Sequence, residues 1–114
     1  MIKLYGIKNC DSVKKAIKYF KKNDLEYEFI DFKITVLDTK IIKKWLEKIS
    51  LDVLFNKRSR TYRDLKLKEL DLDDEKKIDW LIKEPLLIKR PVIELDDGFI
   101  IVGYNELDYN KKLL

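Results

Sequence analysis

The sequence predicts one α/β domain in which helices flank a mixed four-stranded sheet. The first 32 residues alternate strand, helix and strand, the middle of the chain is mostly helical, and the last 24 residues indicate two strands and a helix. With 114 residues and 46% hydrophobic content, the chain can bury a core of ordinary size without a disulfide or metal.

The first three elements form a predicted βαβ unit. Residues 2–5 form a short apolar run that Gly6 interrupts, and residues 27–32 alternate apolar and acidic side chains with the period of a strand. Between them, apolar residues at helical spacing predict an amphipathic helix that Asp11 or Ser12 would cap. Two strands joined by a helix within about 30 residues favour a right-handed crossover and parallel pairing.

Helices dominate the middle of the chain. They are predicted at residues 38–49, 51–55 and 73–84, with an arginine-rich loop at residues 56–63. Trp45 and Trp80 are predicted to be core residues of these helices, and ligand stacking is the less favoured interpretation. Beyond them, two β-rich runs around an Asp-Asp-Gly turn predict a hairpin, and Asn105 would cap a short final helix.

The composition excludes several kinds of active site. The chain has no histidine and one cysteine, so Ser-His-Asp triads, Cys-His dyads and zinc sites built from Cys and His are impossible. A single cysteine cannot form an internal disulfide, and the first residues lack the features of a signal peptide. Since no apolar run reaches the ~20 residues of a membrane span, we expect a cytoplasmic protein without membrane contact.

The net charge of +4 is weak evidence for nucleic-acid binding, because lysines and acidic residues alternate along the chain. We therefore expect a solvated surface and no DNA partner. The arginines are distributed differently: three of the four lie between Arg58 and Arg63, and the fourth, Arg90, directly precedes Pro91.

Cys10 is the candidate reactive residue. It follows the first predicted strand and precedes the first predicted helix. A helix N-terminus presents unpaired N–H groups and about half a positive charge, and both favour a thiolate over a thiol. Lys8, Lys14 and Lys15 add charge of the same sign. The alternative from position alone is a buried and inert cysteine.

Two arginine-containing segments are further candidates. Proline is common at the first position of a strand, so Arg90-Pro91 has an ordinary structural explanation, although a cis bond would expose backbone beside a ligand. The basic segment Arg58-Ser59-Arg60 is suited to an anion or a protein, and its alternative is a solvated loop.

Four blocks of the sequence resemble the Spx/arsenate reductase C family. They are residues 4–16 around Cys10, 56–63, 87–92 and 102–104, in order along essentially the whole chain. The similarity is greatest to the single-cysteine, YffB-like branch. The resemblance implies a thioredoxin-like fold whose βαβ and ββα halves are separated by a helical insertion, at about residues 36–85. It also implies that Cys10 is the nucleophile and that Pro91 is a cis-proline facing it.

Departures from the family pattern limit what transfers. Members that reduce arsenate hold the oxyanion with three arginines. Arg90 matches one of them, whereas Asn56 and Gly103 occupy the other two positions, with Arg58 or Arg60 as candidate substitutes. Spx regulators carry a Cys-x-x-Cys switch, and here the second cysteine is replaced by valine.

The residues and the resemblance together predict a thiol-dependent oxidoreductase, similar to arsenate reductase, in which Cys10 acts through a mixed disulfide. We expect an oxidised thiol as substrate, glutathione or another small thiol as co-substrate, and no tightly bound cofactor or metal. Arg90 is predicted to act beside Cys10 in catalysis. The predicted substrate-binding residues are Lys8, Asn9, Asn56, Arg58, Arg60 and Pro91. The alternatives are an Spx-like regulator that binds RNA polymerase without catalysis, and an interaction domain with a vestigial site.

Overall fold

Four short strands form one mixed sheet in the computed structural model, which describes residues 1–114. They are β1 (Ile2–Gly6), β2 (Tyr27–Asp31), β3 (Val92–Glu94) and β4 (Ile100–Val102), in the order β2-β1-β3-β4. Strands β1 and β2 are parallel, whereas β1 with β3 and β3 with β4 are antiparallel. The predicted βαβ unit and the predicted hairpin are therefore both confirmed.

The chain divides into two units by its internal contacts. Unit 1 comprises Met1–Asp31 and Arg90–Leu114 and contains the whole sheet, whereas unit 2 is Phe32–Lys89. The helical insertion predicted at about 36–85 falls inside unit 2. No helix in the chain has the length and apolar character that a membrane span requires.

Two helices of unit 1 pack on one face of the sheet. They are α1 (Asp11–Lys22) and, at the end of the chain, α6 (Glu106–Leu113). The core between them and the sheet contains buried residues from every layer: Leu4, Val13, Ala16, Tyr19, Phe20, Ile93, Ile101 and Tyr109. Helix α6 begins as predicted, because the side chain of Asn105 accepts a hydrogen bond from the backbone N–H of Asp108.

The predicted cap of α1 is wrong. Asp11 is already the first helical residue, and the N-cap position belongs to Cys10, whose extended backbone (φ −140°, ψ 126°) precedes the helix. No side chain caps this end. The position where the backbone becomes helical determines which residue is the N-cap, so a favourable capping side chain one residue later has no role there.

Unit 2 consists of short helices with side-chain caps. In chain order they are α2 (Thr39–Leu46), α3 (Leu51–Leu54), α4 (Arg60–Asp64) and α5 (Asp74–Lys83). Each start is capped by an aspartate or serine that accepts a hydrogen bond from a backbone N–H of the first turn. Single 3₁₀ turns follow α4 and α5, at Leu67–Glu69 and Pro85–Leu87.

Two predictions for unit 2 need correction. The segment predicted as a loop at 56–63 becomes helical at Arg60, because Ser59 is buried and its hydroxyl caps α4. Trp45 is fully buried as predicted, but Trp80 is not a core residue. The ring of Trp80 is partly exposed and lies 4.9 Å from the ammonium of Lys83, an arrangement that is favourable at a surface.

Candidate active site

The half-buried side chain of Cys10 lies at the N-cap of the 12-residue helix α1. Its carbonyl accepts the hydrogen bond from Lys14 N–H at 2.9 Å that begins the helix, while its thiol takes no part in capping. The N–H groups of the first turn therefore have no side-chain cap at the end of the helix where Cys10 lies. The helix dipole therefore places partial positive charge at this end of α1.

Gly6 and Val13 determine the approach of β1 to α1. A Cβ atom on Gly6 would lie 2.7 Å from Cγ2 of Val13, so only glycine allows this contact. Val13 is fully buried in the core. The position that would carry a second cysteine in a Cys-x-x-Cys switch is therefore occupied by a packing residue.

The Arg90–Pro91 peptide bond is cis, as predicted. Pro91 directly precedes β3, whose first residue, Val92, pairs with Tyr5 near the end of β1. Since Cys10 follows the same end of β1, both residues lie at one end of the sheet. That Pro91 faces the sulfur atom stays a prediction.

The other predicted residues of unit 1 differ in exposure. Arg90 is half-buried, and its Nε atom is inaccessible to solvent. Lys8 and Asn9 are exposed in the turn between β1 and α1. Their sequence proximity to Cys10 thus places a cation and an amide on the solvent side of the same turn.

Sequence reasoning missed the part that Tyr109 has in positioning Pro91. Gly103, at φ 84°, donates its N–H to the Pro91 carbonyl at 2.8 Å, and its own carbonyl accepts the Tyr109 hydroxyl at 2.8 Å. Burial, followed by the neighbouring Tyr104 and Tyr19, raises the pKa of Tyr109, which keeps this donor protonated. The glycine next to a β-rich run was the available signal, but its link to Tyr109 depends on the packing of α6.

The remaining predicted residues belong to unit 2. The backbone N–H of Asn56 donates to Leu87 at 2.8 Å, and its side-chain oxygen accepts from Arg58 N–H at 3.0 Å, so the amide organises its own turn. The side chain of Arg58 is exposed, and that of Arg60 lies 3.6 Å from Asp64 on α4. These contacts explain the local conformation without assigning the three residues to a ligand.

A sheet with βαβ and ββα halves, a cysteine at the start of α1 and a proline at the start of β3 define a thioredoxin-like fold. The model of the ArsC family matches residues 5–112. The chain therefore belongs to the ArsC family, and the predicted family and fold class are confirmed.

Relatives support this membership at different distances. An uncharacterised protein of Haemophilus influenzae is 41% identical over 110 residues, which cover 96% of each chain. A global transcriptional regulator, Spx 2 of Bacillus anthracis, is 29% identical and covers 99% of this chain and 87% of its own length.

Solved structures show the same architecture. A YffB protein superposes with a TM-score of 0.91 at 33% identity, with full coverage of both chains. An ArsC-related protein from Brucella melitensis has a TM-score of 0.75 at 30% identity and covers 98% of this chain and 93% of its own. An arsenate reductase from Vibrio cholerae, at 16% identity, shares the fold with a TM-score of 0.76, covering 90% of this chain and 88% of its own.

Proposed function

We propose that this chain is a cytoplasmic thiol-dependent oxidoreductase that uses Cys10 as its nucleophile. The observation that supports this most is the position of Cys10, which is half-buried at the N-cap of α1 with its thiol outside the capping interactions. Membership of the ArsC family agrees with this chemistry, since a solved structure at 30% identity is described as an arsenate reductase (ArsC) related protein.

The first step is thiol–disulfide exchange. The Cys10 thiolate attacks one sulfur of a disulfide, a Cys10–S–S–R bond forms, and the other half leaves as a thiolate. The first turn of α1 stabilises negative charge on the attacking sulfur. Arg90, half-buried at the start of β3, is the proposed cation for charge that develops on the leaving sulfur.

The second step needs a thiol from outside the chain. No other cysteine exists in the sequence, and the residue one helical turn after Cys10 is the buried Val13. An external thiolate attacks the R-group sulfur, releases Cys10 as a thiolate and leaves as a new disulfide. Glutathione is the proposed small thiol. The remaining predicted residues, Lys8, Asn9, Asn56, Arg58, Arg60 and Pro91, are proposed to bind its polar groups and those of the substrate.

Intact mass spectrometry tests both steps. After treatment with glutathione disulfide and removal of the reagent, we expect one glutathione on the wild-type chain, stable until fresh thiol is added. Cys10→Ser should form no adduct. The matched control is Cys10→Ser combined with Lys48→Cys, which moves the only thiol to an exposed position beyond α2.

The comparison of rates is the decisive measurement. If the start of α1 activates the thiol, Cys10 should react with glutathione disulfide at pH 7 about tenfold faster than the relocated cysteine. Equal rates would show that the position of Cys10 has no chemical consequence. Absence of any adduct on wild-type protein would contradict the proposed function itself.

A regulatory role is the second candidate, because relatives of 27–29% identity are named global transcriptional regulators. In this alternative the chain binds RNA polymerase without catalysis. Pull-down of purified polymerase with wild-type and Cys10→Ser protein separates the two. Equal, saturable binding by both variants, with no glutathione adduct, would favour the regulator.

A further inference from the structure

One short segment of unit 2 carries the whole net charge of the chain. Residues 57–69 contain two acidic residues and six cationic ones: Lys57, Arg58, Arg60, Arg63, Lys66 and Lys68. This excess of four equals the formal net charge of +4, so the rest of the sequence is neutral. Cationic and acidic residues balance each other in the rest of the chain, but they do not do so within residues 57–69.

The fold turns part of this segment into a concave site. A cavity of about 360 Å³ is lined by Lys57, Tyr62, Arg63, Lys66, Lys68 and Glu69. Its volume lies within the range of about 300–1,000 Å³ that is typical of small-molecule sites. The cavity is built entirely from residues of unit 2, and none of its lining residues belongs to the proposed thiol chemistry.

The four cations of the cavity outnumber its single acidic residue, Glu69. The ion pair of this segment joins Arg60 to Asp64, and neither of these residues lines the cavity. Lys57, Arg63, Lys66 and Lys68 make no ion pair. Like charges around one small volume repel each other, and a bound polyanion would remove that repulsion.

The segment that carries these cations contains a left-handed backbone turn. Lys66 adopts a left-handed conformation (φ 52°, ψ 40°) between α4 and the following 3₁₀ turn, where a side chain other than glycine or asparagine is disfavoured. Leu67 beside it is buried and anchors the turn. Tyr62, the aromatic residue that lines the cavity, packs edge-on against Phe55, with ring centroids 5.9 Å apart.

We propose that this cavity binds a compact polyphosphate, such as the phosphate chain of a nucleoside di- or triphosphate. Several cations around a cavity of about 360 Å³ are best complemented by a ligand whose negative charges lie within a few ångströms of one another. A di- or triphosphate supplies them, whereas carboxylates on a peptide lie on separate residues. Arginine and lysine are both established phosphate ligands, through charge-assisted hydrogen bonds.

Calorimetric titration of the full chain at low salt tests this site. We expect saturable 1:1 binding of ATP and of inorganic tripolyphosphate, and no binding of adenosine. If tripolyphosphate binds as tightly as ATP, the site recognises polyphosphate in general. Tighter binding of ATP would show that the site recognises a nucleotide. Tighter binding of a single-stranded oligonucleotide without terminal phosphates would overturn the proposal in favour of nucleic acid.

Charge-matched variants locate the site. Lys57→Gln with Lys68→Gln should weaken ATP binding about 10- to 100-fold, since each charge-assisted contact contributes about a factor of ten or more. Lys40→Gln with Lys48→Gln removes the same charge from exposed positions outside the cavity and should change affinity less than about twofold. Equal weakening by both pairs would show diffuse attraction and overturn the site.

Two controls keep the result independent of folding and of the thiol chemistry. Both double variants should form the glutathione adduct on Cys10 like wild type, because none of the four lysines belongs to that site. Amide chemical shifts should move on ATP addition within residues 57–69 of the wild-type chain. Shifts confined to other residues would contradict the proposal even if ATP binds.

Discussion

Units 1 and 2 differ in their net charge. Unit 1 contains equal numbers of cationic and acidic residues, ten of each, while unit 2 carries the entire excess of +4. In unit 1 Cys10 is positioned by a strand and a 12-residue helix that share one buried core. In unit 2 the cations that line the cavity lie just before α4, on α4, at the left-handed residue Lys66 and in the 3₁₀ turn that follows it.

The functions proposed for the two units need different arrangements of residues. A nucleophile needs one group at a defined backbone position, and a strand-to-helix junction supplies it regardless of net charge. Anion binding needs several cations close together, and the proposed site takes them from α4, the turn before it and the 3₁₀ turn after it.

Val13→Cys should change the fate of the mixed disulfide from stable to self-resolving. Residues 10 and 13 are neighbours on one helical face, so a thiol at 13 acts at an effective concentration in the millimolar range or above. Loss of part of a buried side chain should cost about 1 kcal/mol of stability. Release of bound glutathione without added thiol, followed by intact mass, measures the effect.

Ser12→Cys is the matched control for Val13→Cys. It adds a thiol one residue away, but side chains two positions apart do not face each other on a helix. It should retain the adduct as wild type does. If Val13→Cys also retains it, the buried packing against Gly6 prevents the thiol at 13 from reaching Cys10.

Arsenate should be a poor substrate. The family resemblance implies that Asn56 and Gly103 occupy two of the three positions at which arsenate-reducing members carry an arginine. Each charge-assisted bond contributes about 1.5–3 kcal/mol, so the absence of arginine at both positions should weaken oxyanion binding by about two decades or more. A coupled assay on protein that forms the glutathione adduct checks this. Efficient turnover that disappears in Arg58→Gln with Arg60→Gln would show that those residues substitute.

Unit 1 should lose stability in alkali. Burial, followed by the charges of Glu94 and Glu28, raises the pKa of Tyr5 to about 12. Between pH 10 and 12 the unfolded chain therefore loses a proton that the folded chain keeps. The free energy of unfolding should fall as pH rises, by up to about 1.4 kcal/mol per pH unit from this residue.

Urea unfolding of wild type and Tyr5→Phe at pH 8 and pH 11 isolates this contribution. The difference in the free energy of unfolding between the two proteins should shift in favour of Tyr5→Phe at the higher pH, whatever the sign of that difference at pH 8. A difference that is independent of pH would show that Tyr5 does not contribute to the alkaline decline.

Replacement of one lysine by glycine should change the free energy of unfolding differently in the two units. Lys66→Gly relieves a left-handed backbone and should be neutral or stabilising by up to about 1 kcal/mol. Lys18→Gly, in the interior of α1, should destabilise by about 1 kcal/mol. Urea unfolding measures both, and a destabilising Lys66→Gly would show that the lysine side chain itself stabilises the turn.

The sequence predicted most elements because their signals are local. The helical spacing of Val13, Ala16 and Phe20, the Asp-Gly turn of the hairpin and the Asn105 cap each appear within a few residues. The candidate residues of unit 1 were predictable for the same reason: Lys8, Asn9 and Cys10 share one turn. Cys10 as the N-cap was not predictable, because capping preference favoured the polar residues after it.

Length, composition and local periodicity thus determined the α/β class, the position of the single cysteine and the absence of histidine and of any internal disulfide. Tertiary structure alone decided which distant segments meet. The antiparallel pairing of β3 with β1 brings Pro91 to the Cys10 end of the sheet, and α6 packing joins Tyr109 to Gly103. Tertiary structure also decided that four of the six cations along 57–68 line one cavity, with a left-handed residue, Lys66, among them. Such contacts depend on backbone turns and on burial summed over many residues, and no short stretch of sequence specifies either.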